Sequence, residues 1–136
     1  MTEHEQNEKS HKLAAEWFKN HSATAFQSGN GGSKLTVIDW RKPDTGNYAM
    51  RFTVSQNCVV VTGDVGDAIY CFTGEIDLEK LASFDWHYFV NKCVASETGR
   101  HYTMKVPGIK YPVPNVRAIG HWVGLQMALK QLKGLI

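Results

Sequence analysis

The stretch from Val59 to Phe72, VVVTGDVGDAIYCF, restricts the fold of this chain more than any other. β-branched and aromatic residues fill two short arms. Gly63, Asp64, Gly66 and Asp67 lie between them and supply the positive-φ and side-chain-capped positions of a tight turn. The stretch therefore predicts a β-hairpin, and the flanking segments must either pair with it or pack on it.

Two further strands precede it. Lys34 to Trp40 alternates, Pro43 to Gly46 makes a turn, and Tyr48 to Ser55 alternates more cleanly. Gln56-Asn57 is a two-residue turn, after which Cys58 opens the next strand. The three turns predict three registers. Trp40 faces Tyr48 and Ile38 faces Met50; Val54 faces Val59 and Phe52 faces Val61; Val61 faces Tyr70 and Val59 faces Phe72. In these registers Ile38, Trp40, Tyr48, Met50, Phe52, Val54, Val59, Val61, Tyr70 and Phe72 form one apolar face. A one-residue slip at any turn would break that face. The expected fold is α+β: a four-stranded antiparallel meander with helices packed on one face.

Helical spacing appears on both sides of the meander. Residues 1–7 are expected to be frayed or to start a helix, and from about Glu8 the residues Leu13, Ala14, Trp17, Phe18 and His21 make one stripe, with Ala25-Phe26 as an extension. Gln27 to Ser33 is too glycine-rich for a helix. Asp77 caps a short helix, and Ser83 or Asp85 caps another in which Trp86, Phe89, Val90, Cys93 and Val94 follow helical spacing to Gly99. Pro107, Pro112 and Pro114 predict an irregular crossing, with a short strand at Tyr102–Val106. Asn115 then caps a final helix with Ala118, Trp122, Leu125, Leu129, Leu132 and Ile136 on one seam. That spacing suits a coiled coil or packing on the sheet.

A chain of 136 residues fits one domain, 1–136, with enough length to close a core unaided. A net charge of +2 gives no bulk attraction to nucleic acid. Three cysteines, with no CxxC pair, predict a reducing compartment and no structural zinc. In the proposed register Cys58 and Cys71 are diagonal neighbours, roughly 7–8 Å apart and out of disulfide reach. The polar N-terminus lacks a signal-peptide core and no apolar run spans a bilayer, so a cytoplasmic protein is expected.

Chemistry-bearing groups are sparse. Asp64 and Asp67 offer a cation site or an acid–base pair, or else simple turn caps. A calcium loop would need more oxygen ligands, and the six histidines form no metal-ligand pair, so neither a metal nor a cofactor is called for. Segment 100–117 carries Arg100, His101, Lys105, Lys110 and Arg117 with Tyr102 and Tyr111 between them. Such a segment is a nucleic-acid surface or a solvated loop. The sheet's second face, with Leu35, Val37, Cys58, Val60, Ile69 and Cys71 interrupted by Asp39, Arg51, Thr53 and Thr62, is too apolar for a wet face and too polar for a core. It predicts an interaction surface or a homodimer contact, unless a segment such as 100–115 covers it.

The block Val61-Thr-Gly-Asp-Val-Gly-Asp-Ala-Ile-Tyr70 is preceded by Tyr48–Phe52 and Trp40–Thr45 and followed by Trp86–Phe89. Together they resemble small proteins encoded by bacteriophages and prophages, over residues 38–95. The resemblance implies a genetic setting rather than catalytic residues. Small phage accessory proteins of this size often inhibit host defence, anti-CRISPR proteins among them, by covering a surface of a nuclease or effector complex. The expectation is a non-enzymatic protein that blocks a host protein or ribonucleoprotein. Its contacts are expected at Arg51, Val37, Val60 and Ile69, and at Arg100, Tyr102, Lys105, Lys110, Tyr111 and Arg117. The alternatives are a metal-dependent hydrolase or nuclease using Asp64 and Asp67 with His87 or His101, and a nucleic-acid-binding module.

Overall fold

A computed structural model describes residues 1–30 and 34–134. The elements in chain order are α1 (Glu3–Trp17), β1 (Ser22–Ser28), β2 (Leu35–Arg41), β3 (Met50–Ser55), β4 (Cys58–Gly63), β5 (Ala68–Cys71), α2 (Leu78–Ser83), α3 (Trp86–Val90), β6 (Cys93–Ser96), β7 (Thr103–Met104), β8 (Val113–Pro114) and α4 (Val116–Leu132). The fold is α+β. β1 to β6 make one antiparallel sheet in sequence order, and β7 pairs with β8 apart from it.

The sheet has six strands where the turn signals predict four. Ala25-Phe26 belongs to β1 and does not extend α1. Cys93 and Val94 open β6 and do not continue α3, which stops at Val90. α1 in turn starts at Glu3, because the Thr2 hydroxyl accepts the Glu5 N–H and caps it. Its buried line is Ser10, Ala14 and Phe18, while Leu13 stays exposed. The glycine-rich loop lies partly, and Ile136 wholly, outside the described residues.

β3 pairs with β4 as expected, with Val54 opposite Val59 and Phe52 opposite Val61. The other two predicted registers are each displaced by two residues. Trp40 faces Met50 and Ile38 faces Phe52; Val59 faces Tyr70 and Val61 faces Ala68. Because side chains repeat every second residue, an even displacement leaves each on its predicted face. Nine of the ten inner-face residues are therefore buried, and Tyr48 is the exception at 42% exposed. It sits in the loop before β3 with φ +58 and stacks on Trp17 at 5.3 Å.

The four helices among the described residues gather on the inner side of the sheet around α4, which packs on α1, α2, α3, β1 and β2. Asn115 caps α4 by accepting the Arg117 N–H, and Asp77 and Asp85 cap α2 and α3 in the same way. Two glycines one turn apart let α4 approach closely. A Cβ at Gly124 would come within 3.1 Å of the Phe18 ring and 3.3 Å of Trp40 Nε1; one at Gly120 would come within 2.9 Å of the Trp17 ring. Glycine inside a helix costs about 1 kcal/mol, so the packing it permits must offset that. Aromatic stacking completes the core, with Tyr70 on Phe89 at 4.2 Å and Phe72 on Phe84 at 5.1 Å.

At the centre of this core lies His121, fully buried on α4. Its Nε2–H donates to the Gly66 carbonyl at 2.9 Å, so Nδ1 is the acceptor for the Tyr70 hydroxyl at 2.8 Å. Burial pushes the His121 imidazole down to about 4. The unfolded chain therefore takes up this proton first as pH falls. The stability that neutral His121 confers is complete above about pH 6.5 and drains away as pH falls toward 4, by about 3 kcal/mol in all. In urea titrations, the stability gap between wild type and His121→Asn should accordingly shrink between pH 7 and pH 4. The Gly66 end is equally constrained. Gly66 has φ +102, and a Cβ there would run into the Tyr102 hydroxyl. Gly66→Ala should destabilise the fold by about 2 kcal/mol or more, read from the urea midpoint.

Candidate interaction surface

The other side of the sheet carries side chains in three rows across the strands. The middle row runs Phe26, Val37, Thr53, Val60, Ile69, Ala95, one residue from each of the six strands in register. At a strand spacing of about 4.8 Å it extends for about 24 Å. On one side lies the row Thr24, Asp39, Arg51, Thr62; on the other lies Ser28, Leu35, Ser55, Cys58, Cys71. Every one of these side chains is half-buried or exposed. Phe26 is 64% exposed and Ile69 37%. Segment 100–115 does not bury this face.

The local reasons are plain. Strand alternation sends Ile38, Phe52, Val59 and Tyr70 inward and obliges their neighbours to face out. A register irregularity between Ile69 and Tyr70 leaves both Val94 and Ala95 of β6 exposed. Beside the apolar row the charge is one pair, while Arg41 stands exposed at the end of β2. Arg51 Nε donates to Asp39 Oδ1 at 2.8 Å and Nη2 reaches Oδ2 at 3.4 Å, which raises the already high guanidinium pKa. The pair neutralises itself and holds the Arg51 guanidinium against the sheet, beside the apolar row.

Of the residues expected to make contacts, Arg51, Val37, Val60 and Ile69 thus share one surface. The basic-aromatic segment does not act as a unit. Tyr102, expected on the surface, is only 1% exposed; its ring lies 5.6 Å from that of His121 and covers Gly66. Burial pushes its hydroxyl pKa up. Arg117 is committed to Glu97 at 3.2 Å. Arg100, Lys105 and Lys110 are exposed, as is Tyr111, over whose ring Lys110 Nζ sits at 5.3 Å. An intercalating pair of tyrosines is therefore not presented.

Of the acid pair, Asp67 serves as a turn cap. Asp67 Oδ1 accepts the Gly63 N–H at 3.0 Å, closing the turn on itself, while the Asp67 N–H donates to Glu97 Oε1 at 3.1 Å. Asp64 is exposed, and its N–H donates to the Ala49 carbonyl. Among the described residues no group of three or more His, Cys, Asp or Glu side chains is placed to hold a metal ion.

Cys58 and Cys71 require a correction. They are directly opposed, not diagonal, and their sulfurs are 2.8 Å apart. The displaced β4–β5 register is the cause. Sequence reasoning also missed Phe26 and Ala95, the two ends of the apolar row. In SATAFQS only Phe26 is large and apolar, so the alternation that marks a strand is faint.

Set against known proteins, the chain matches no family model, no curated sequence and no solved structure. Among the described residues no helix is long and apolar enough to cross a membrane.

Proposed function

We propose that this chain is a binding protein that docks a protein partner on the outer face of its sheet and blocks that partner by occupying its surface. The carrying observation is the six-residue row from Phe26 to Ala95, in register across the whole sheet and left uncovered by the helices. An apolar centre beside a held arginine is the usual make-up of a protein-binding patch, where aromatic residues and Arg are enriched. Among the described residues the face has the Arg51–Asp39 pair and one further cation, Arg41, exposed at the end of β2. One such cation favours a protein surface over a phosphate backbone, which requires several unpaired Lys and Arg. On the reading that residues 38–95 resemble phage-encoded proteins, the proposed partner is a component of host defence, with a CRISPR effector as the first case to examine. The working compartment is then the bacterial cytoplasm.

The test uses a bacterial strain whose CRISPR effector restricts an infecting phage. Wild-type protein should relieve restriction and co-purify with the effector. The double variant Val60→Glu/Ile69→Lys should keep its circular dichroism spectrum and weaken capture more than about tenfold. Equal capture by the folded variant would move the site off this face. No relief and no capture by wild type would end the effector assignment. A concentration-dependent dimer abolished by the same substitutions would make a second copy of the chain the occupant.

A further inference from the structure

We propose that Cys58 and Cys71 form a thiol–disulfide exchange site, which takes low-molecular-weight disulfides as its oxidising substrates and closes to a cross-strand disulfide between β4 and β5. The Phe72 N–H donates to the Asn57 carbonyl at 2.8 Å, on the far side of the cysteine pair from the rest of the ladder. The Cys71 N–H is turned away from β4 and donates to the Lys92 carbonyl at 3.0 Å. Cys58 and Cys71 are therefore a non-hydrogen-bonded pair. In such a pair the Cα atoms stand about 4.5 Å apart and the side chains lie closest, a separation within the range that disulfides span. The two sulfurs are already in contact at 2.8 Å. Both residues are half-buried on the face that the helices leave open, so a small disulfide can reach them.

The two cysteines differ. Burial and the contact with Cys58 push the Cys71 thiol up to about 11, which makes Cys71 the slower first attacker. The Cys58 thiolate attacks one sulfur of the small disulfide. That S–S bond breaks, and one thiolate leaves and takes up a proton. Cys71 then gives up its proton and attacks the Cys58 sulfur, which breaks the mixed disulfide and expels the second small thiol. The protein dithiol loses two electrons and two protons, and the small disulfide gains them. Cys93 is excluded: it lies on the inner face opposite Tyr70, 1% exposed, with its thiol donating to the Ala95 carbonyl.

The site lies on the same outer face as the proposed docking row, but thiol exchange is read on the chain alone, so its test needs no partner. The full reduced chain is equilibrated in buffers of reduced and oxidised glutathione, quenched with acid, and mapped by non-reducing peptide mass spectrometry. The expected product is a Cys58–Cys71 cross-link with no glutathione retained, while Cys93 remains a free thiol. Cys71→Ser should trap one glutathione on Cys58. The equilibrium constant for closure should be about a hundredfold larger for the native chain than in urea, because the fold holds the pair together. Stable double glutathionylation of the native chain, failure to oxidise, cross-linking through Cys93, or a native-to-urea ratio of one or less would each overturn the proposal.

Discussion

Everything in this fold hangs on the approach of α4 to the sheet. The helix comes close because Gly120 and Gly124 remove side chains where Trp17, Phe18 and Trp40 need space. Its buried polar group, His121, can be accommodated only because both ring nitrogens have partners, one on β5 and one in the β4–β5 turn. A buried imidazole lacking either would cost more than the contact returns. The same bond fixes the turn carbonyl of Gly66 and so helps hold the β4–β5 hairpin in place. With the helices committed to one side, the opposite side of the sheet is left uncovered.

The inner half of this arrangement was readable in the residues. Alternation from Ile38 to Phe72 identified nine buried positions, since face assignment survives an even error in register. What could not be read was absolute pairing. The turns before β3 and β5 are longer than a minimal hairpin connection, and Tyr48 takes a left-handed backbone that no alternation rule anticipates. The edge strands were illegible for a different reason. β1 alternates in burial, but its inward positions hold only Ala23, Ala25 and Gln27, and β6 is distorted beside Tyr70, so neither shows large apolar residues at every second position. Trp86 to Val94 even imitates helical spacing, although the helix ends at Val90.

The candidate surface was half legible for the same reason. Val37, Arg51, Val60 and Ile69 follow from knowing which residues face inward, because their neighbours must face out. Phe26 and Ala95 belong to strands that were not recognised. The segment from Arg100 to Arg117 shows the opposite failure. Its composition suggests a basic, aromatic surface, yet Tyr102 is drawn into the core by Gly66 and His121, and Arg117 is drawn to Glu97. Composition reports which groups are present; only the fold decides which of them water can reach.

The glycine pair of α4 also bears on how such a chain can vary in length. One residue added within the helix before Gly120 would rotate both notches by about 100° and set side chains against Phe18 and Trp40. The loops at 42–49 and 98–101 face no comparable demand, since their side chains are nearly all at the surface. Lengthening should therefore be tolerated at the rims of the molecule and rejected along its central rod, whose rotational phase is locked to the sheet.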